Sequence, residues 1–225
     1  MIGAGALAIW FDEIDPAGET DFNEWYVRQH LPERLSVPGF MRGRRYAAVD
    51  AGAPYFTFYE TANAAVLGSQ ALLERLNNPT DWTRRVLPRV RAMTRTSYEL
   101  IAASPEDRVG KRMVTARIDP DAAQCSQVEA RLEREALPAV TSLGGVMGCA
   151  LYASYAGGTG LVTEERRLIP GRVVAAPRIL AVCEYSELER ERAVQEFWST
   201  WMRGMAVEVT TNTYRLLYGL AWLTL

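Results

Sequence analysis

His30 is the single histidine of a 225-residue chain and stands in Arg28-Gln29-His30-Leu31-Pro32. An imidazole with an ordinary pKa near 6.5 exchanges protons close to neutrality, which suits it to general acid–base work or to holding an anionic group. Pro32 has no N–H for the carbonyl of Arg28 and biases Leu31 away from helical geometry. The sequence therefore predicts a kink or break at His30, with unpaired carbonyls that favour imidazolium. Tyr26, one helical turn before His30, is placed to orient it or share its proton. Arg34, one turn after, is placed to bind a carboxylate or phenolate. The plainer reading of all three is structural: a histidine bonding a neighbour at a helix end, flanked by packing or surface residues.

Beyond this segment, a strand period of two puts Arg42, Arg44, Tyr46 and Ala48 on one face and Met41, Gly43, Arg45 and Ala47 on the other. Tyr55, Thr57 and Tyr59 share a face of the next strand, opposite Phe56, Phe58 and Glu60. With Trp82 and Arg95, these strands offer Arg34, Arg44, Tyr46, Tyr59, Trp82 and Arg95 as candidate substrate contacts. An aromatic lining with a few polar groups suits a planar aromatic or polyketide-like ligand. The same side chains would also make an ordinary inter-sheet core.

Other motifs carry less. Gly3-Ala4-Gly5-Ala6-Leu7-Ala8 matches a dinucleotide fingerprint in letters but precedes its strand and opens no helix. Gly157 to Gly160 lacks the lysine and hydroxyl of a phosphate loop. Asp12, Glu13 and Asp15 read as solvated acids rather than cation ligands. Cys125, Cys149 and Cys183 show no zinc spacing, so no metal is expected. Cys149 and Cys183 are expected on neighbouring strands as packed thiols, with a disulfide as the alternative. With 25 basic and 27 acidic residues the formal charge is −2, which implies no electrostatic pull toward nucleic acid or anionic membrane. No apolar run reaches the roughly 20 residues of a membrane span, and Met1 to Phe11 lacks a basic signal-type start. The expectation is a soluble, cytoplasmic protein.

The elements that must position these groups follow from periodicity. Ala6 to Phe11 is a buried-strand run. Phe22 to Leu35 has helical spacing, with Asp21 as N-cap and Glu24 at capping-box distance. Phe40–Val49 and Tyr55–Glu60 make a hairpin, Ala64–Leu76 a second helix, Asp81–Val90 a helical turn, and Met93–Ile101 a closing strand. The order strand, helix, strand, strand, helix, strand is the ferredoxin-like split βαβ arrangement. It recurs in Arg112–Ile118, Asp121–Ser142, Val146–Tyr155, Arg178–Tyr185, Leu188–Val207 and Thr211–Leu223.

The recurrence is also literal. Arg134-Glu135-Ala136-Leu137-Pro138 repeats the histidine segment at an offset of 136 − 30 = 106, with alanine in place of the imidazole. Ser36, Gly39, Met41, Tyr46 and Ala47 recur as Ser142, Gly145, Met147, Tyr152 and Ala153. Such a duplication sets the architecture: α+β, with a first unit over 1–103 carrying His30, a linker over 104–110, and a second unit over 111–225. The bare faces of the two antiparallel sheets would pack as an intrachain α/β barrel. A hairpin insertion at 156–176 belongs to the second unit alone and reads as a lid, an oligomer arm or a loose loop.

Phe22-Asn23-Glu24-Trp25-Tyr26, His30-Leu31-Pro32, Pro38-Gly39-Phe40 and Arg44-Arg45-Tyr46 resemble the EthD-like members of the dimeric α/β-barrel superfamily. The likeness covers the first unit, extends through Asn77 to Thr83, and reaches the second unit only in element order. It implies this fold far more firmly than any reaction, because the superfamily includes monooxygenases, lactone isomerases, polyketide cyclases, decarboxylases and haem-degrading enzymes. It also implies a histidine at the matching site position. The expectation is thus a small-molecule enzyme of isomerase, cyclase, lyase or decarboxylase type without a bound cofactor. In it His30 and Tyr26 are the catalytic candidates, and a homodimer could form in addition to the intrachain pseudo-dimer. The alternatives are a non-catalytic ligand-binding or assembly module and, less favoured, a haem protein with His30 as axial ligand.

Overall fold

In a computed structural model, residues 2–105, 109–186 and 191–221 are described. Parts of the linker, of the last helix and of the last strand expected from sequence (106–108, 187–190 and 222–225) lie outside them. Among the described residues nine strands form in chain order: β1 (Gly5–Ile14), β2 (Phe40–Ala48), β3 (Tyr55–Thr61), β4 (Val90–Ala103), β5 (Arg112–Ile118), β6 (Val146–Ser154), β7 (Arg172–Val174), β8 (Ile179–Tyr185) and β9 (Val209–Ala221). The helices are α1 (19–35), α2 (Gln70–Asn77), α3 (Asp81–Val86), α4 (125–141), α5 (Glu164–Leu168) and α6 (Glu191–Arg203).

The first unit orders its strands β4-β1-β3-β2 and the second β9-β5-β8-β6. Two seams join them: β2 pairs with β9 from Arg42↔Ala221 to Ala48↔Tyr214, and β4 pairs with β6 from Tyr98↔Ser154 to Ala103↔Ala150. The result is a closed antiparallel barrel of eight strands from one chain, the expected α+β architecture. Closure removes free sheet edges.

Each strand serves two cores, which is why β1 is a continuous apolar run rather than an alternating one. Ala6, Ala8 and Trp10 point into the barrel with Tyr46, Phe56, Phe58, Tyr98, Tyr152 and Tyr214. Leu7, Ile9 and Phe11 point out, under the helices of the first unit. The second unit has a matching outer core around Leu132, Ala136, Trp198 and Met202.

Several local expectations are corrected. Helix α1 starts at Glu19, with Gly18 at its N-cap and no side-chain cap. Asp21 instead accepts from Trp82 Nε1 at 2.7 Å and Arg85 Nε at 3.0 Å. Pro32 does not break α1. A π-helical turn over Tyr26–His30, in which Leu31 N–H reaches Tyr26 O, absorbs the missing donor, and the helix continues over Leu31–Leu35. The repeat does the same: α4 has a π turn over Leu132–Ala136, with Leu137 N–H bonded to Leu132 O just before Pro138. Gly39 and Gly145 then leave these helices at φ +92° and +90°, a backbone region that glycine occupies without strain.

The insertion is not a hairpin. It runs from the second unit across the first, forming α5 and then β7, whose Arg172, Val173 and Val174 pair in parallel with Ala92, Met93 and Thr94 of β4. Cys149 and Cys183, directly opposed on β6 and β8, form a disulfide rather than packing as two thiols. No helix among the described residues is long and apolar enough to cross a membrane, and no cluster of three or more potential metal ligands occurs among them.

Candidate functional site

Between the outer face of the first sheet and its helices lies a cavity of about 240 Å³, roofed by the strap at 156–176. Its floor is Leu7 and Ile9 of β1, Tyr59 of β3, and Met93 and Arg95 of β4. Helix α1 contributes Trp25, His30 and Arg34, α2 contributes Leu72 and Leu76, and the strap adds Thr163, Glu165, Arg166 and Ile169. His30 and Arg34 stand one turn apart, so imidazole and guanidinium share one face of α1.

His30 is buried, and its Nδ1 has no hydrogen-bond partner. The ring packs on Trp25, with centroids 4.2 Å apart, and meets Tyr26 edge-on at 4.9 Å. Trp25 is fixed in turn by donating Nε1–H to Thr83 Oγ1 at 3.1 Å. Burial, reinforced by the charges of Arg34 and Arg45, holds the imidazole well below its usual pKa. This corrects the expectation of a stabilised imidazolium: the helix runs through, the ring is buried beside two cations, and the resting histidine is neutral.

Tyr59 donates to Tyr26 Oη at 3.3 Å, and burial raises both phenol pKa values, so both stay protonated. Arg34 donates Nη2 to the Glu165 carboxylate, a buried ion pair that ties the strap to α1. Arg95 donates Nη1 to Gly158 O at 3.0 Å, and burial lowers its pKa to about 10. Beneath Tyr26 lies Arg45, its guanidinium 4.2 Å from the Tyr26 ring centroid and 4.4 Å from that of Tyr55, with Nη2 on Asn23 Oδ1 at 2.7 Å.

Of the residues singled out from sequence, His30, Arg34, Tyr59 and Arg95 meet at this cavity, and Tyr26 backs His30 and Tyr59 from behind. Arg44 and Tyr46 do not join them. Their face of β2 points into the barrel, where Arg44 is held between Glu60 and Glu184 and Tyr46 packs on Phe56. Trp82 also lies outside the cavity, bonded to Asp21. Glu165, Arg166 and Thr163 were not foreseen as site residues. They lie in the insertion at 156–176, and nothing local in its sequence says which unit it covers. In the second unit Ala136 fills the His30 position within a packed apolar core.

The chain resembles solved structures across its whole length. An anthrone oxidase-like protein superposes with TM-score 0.64 at 13% identity, covering 96% of this chain and 92% of the other. A candidate monooxygenase of Fusobacterium nucleatum subsp. nucleatum gives 0.61 at 10% identity, with both chains fully covered. A tryptophan-to-phenylalanine mutant of the chlorite dismutase from Candidatus Nitrospira defluvii, in complex with cyanide, gives 0.53 at 13% identity, covering 96% and 92%. No protein-family model and no curated protein matches the chain. At these identities the likeness establishes the fold, the dimeric α+β barrel of ferredoxin-like units, and leaves the reaction to the site.

Proposed function

We propose that this protein is a cofactor-independent enzyme acting on a small planar, aromatic or unsaturated, molecule, with His30 as its general base and then its acid. The observation that carries the reading is a neutral, partner-poor imidazole on the wall of a partly open, mainly apolar cavity, one helical turn from a buried arginine. The EthD-like segments around His30 and the monooxygenase-like and oxidase-like names of structural neighbours agree with a small-molecule enzyme.

In this reading the substrate sits between Trp25, Tyr59 and the apolar floor. An acidic C–H or O–H of the substrate gives its proton to the imidazole. The electron pair left behind delocalises as an oxyanion facing the Arg34 guanidinium. Returning the proton to a different atom completes an isomerisation or ring closure, and returning it after a neighbouring bond breaks completes a lyase or decarboxylase step. Tyr26 is a positioning residue, holding the imidazole edge and the Tyr59 hydroxyl. The strap excludes water, which strengthens every electrostatic contact inside.

The residues do not fit a haem. A tetrapyrrole exceeds a cavity of about 240 Å³, and the His30 ring is packed against Trp25 and Tyr26 rather than presented to an open face. The competing reading, a ligand-binding module, shares the cavity and differs in turnover. Screening metabolites of aromatic breakdown and polyketide synthesis against wild type and His30→Gln separates the two. A loss of about 100- to 10,000-fold in turnover with unchanged ligand binding and stability is expected of the enzyme. Turnover unaffected by the substitution would end the proposal.

A further inference from the structure

Resting on the ligand-site reading above, we infer that the molecule bound in this cavity is a planar unsaturated monocarboxylate whose carboxylate is held by Arg34 and Arg95. Arg34 is buried and lines the cavity, and only one arm of its fork is used: Nη2 meets Glu165, whereas Nη1 has no hydrogen-bond partner. Arg95 faces the same space with a single donor spent on Gly158 O, and forms no ion pair among the described residues. Arg166 is also on the wall, turned to Ile169 O at 3.1 Å. Arg34, Arg95 and Arg166 therefore line a partly open, mainly apolar space whose lining holds one carboxylate, Glu165.

With Arg34 paired to Glu165, the charge of Arg95 is left without a counter-charge, which is costly away from bulk water, and a ligand carrying one negative charge offsets it. Burial is the main cause of the lowered basicity of Arg95; the Arg34 charge adds to it and Glu165 partly offsets it. A carboxylic acid is ionised at neutral pH, whereas a phenol with pKa of about 10 enters neutral. A carboxylate also matches the planar guanidinium fork in bidentate fashion. The rest of the wall is mainly apolar, from Leu7, Ile9, Leu72, Leu76, Leu87 and Met93, with Tyr59 and Thr163 as further polar side chains, so the rest of the ligand is mainly apolar, and about 240 Å³ suits one or two fused rings. A carboxylate arriving beside His30 also raises the imidazole's proton affinity, which the empty, cationic site suppresses. Binding thereby prepares the base.

Titration calorimetry of the full chain at pH 7.5 with 2-naphthoate, 2-naphthamide and 2-naphthol tests this. The carboxylate is expected to bind at least tenfold more tightly than the neutral amide or phenol. Arg95→Met should reduce that preference to near parity and His30→Ala should leave it in place. Should Arg95→Met fold poorly, Arg95→Lys, which keeps the charge and loses the fork, is expected to cut the preference severalfold. Equal binding of carboxylate and amide, or a carboxylate preference that survives both Arg95 variants, overturns the carboxylate assignment while leaving the cavity a ligand site. Binding of none of the three overturns the assignment and the ligand-site reading together.

Discussion

A histidine kept neutral by burial couples the folded state to pH. The folded pKa of His30 lies below the unfolded value of about 6.5, so between those two values the unfolded chain carries a proton that the native chain does not. Stability then rises with pH across that window, is complete above about 6.5, and is lost as pH falls toward the folded pKa, at up to about 1.4 kcal/mol per pH unit. Urea denaturation of wild type and His30→Gln at pH 7.5 and 5.5 should show wild type losing stability relative to the variant at the lower pH; a pH-independent difference would mean that the ring is not buried neutral. The same shift places the acid limb of kcat/KM below pH 6.5 once a substrate is found. Much of this site could be read from residue types. His30 and Arg34 share a helix face whatever surrounds them, and Tyr59 and Arg95 lie on strands of the right unit. Arg44 and Tyr46 could not be assigned, because a period of two separates the faces of β2 without saying which one meets the helices and which the barrel. Glu165 was beyond reach: it lies 131 residues from Arg34 in sequence, and no local pattern records that distance.

At the scale of elements, the strap joins the units in a way their duplication does not foretell. Helix and strand order was legible because long elements carry apolar periodicity, whereas α5 has five residues and β7 three, too few to show any period. The π turn was hidden for a different reason: the proline rule forbids the α-helical bond without excluding a wider turn that does without it. The strap is held down by the Arg34–Glu165 pair, by Ser97 N–H donating to Thr159 Oγ1 at 3.1 Å, and by Glu164 N–H donating to Asn77 Oδ1 at 3.1 Å. Removing one partner of a buried pair strands the other charge, so Glu165→Ala should cost about 3 kcal/mol in urea denaturation, and the double variant Arg34→Met with Glu165→Met should recover most of it. Hydrogen exchange in Glu165→Ala should rise first over 156–176. Exchange rising equally over the whole chain would show that the pair supports the barrel rather than the strap.

For the whole molecule, the closed barrel predicts that the two units unfold as one thermodynamic body. Its interior is shared: Phe58 of β3 meets Tyr152 of β6 edge-on at 5.6 Å, and Phe56 meets Tyr214 of β9 at 5.1 Å. Arg44 of the first unit is buried between its own Glu60, at 2.7 Å, and Glu184 of the second, whose other oxygen takes the amide of Gly110. Arg42 also pairs with Glu60, at 2.9 Å from its Oε1, so Glu60 keeps a cation when Arg44 is lost. Glu184 is left with the Gly110 amide and no cation to replace Arg44 among the described residues. Arg44→Met should therefore destabilise the chain by about 3 to 5 kcal/mol, the usual cost of leaving a buried carboxylate without its cation, and Glu184→Gln in the same background should return part of it. Because the stranded charge sits in the second unit while the substitution is in the first, amide protection in β1 and β8 should fall together in hydrogen exchange. Protection lost in β8 alone, with β1 unchanged, would mean that the halves unfold separately and that the seams β2–β9 and β4–β6 bring the sheets together without coupling them.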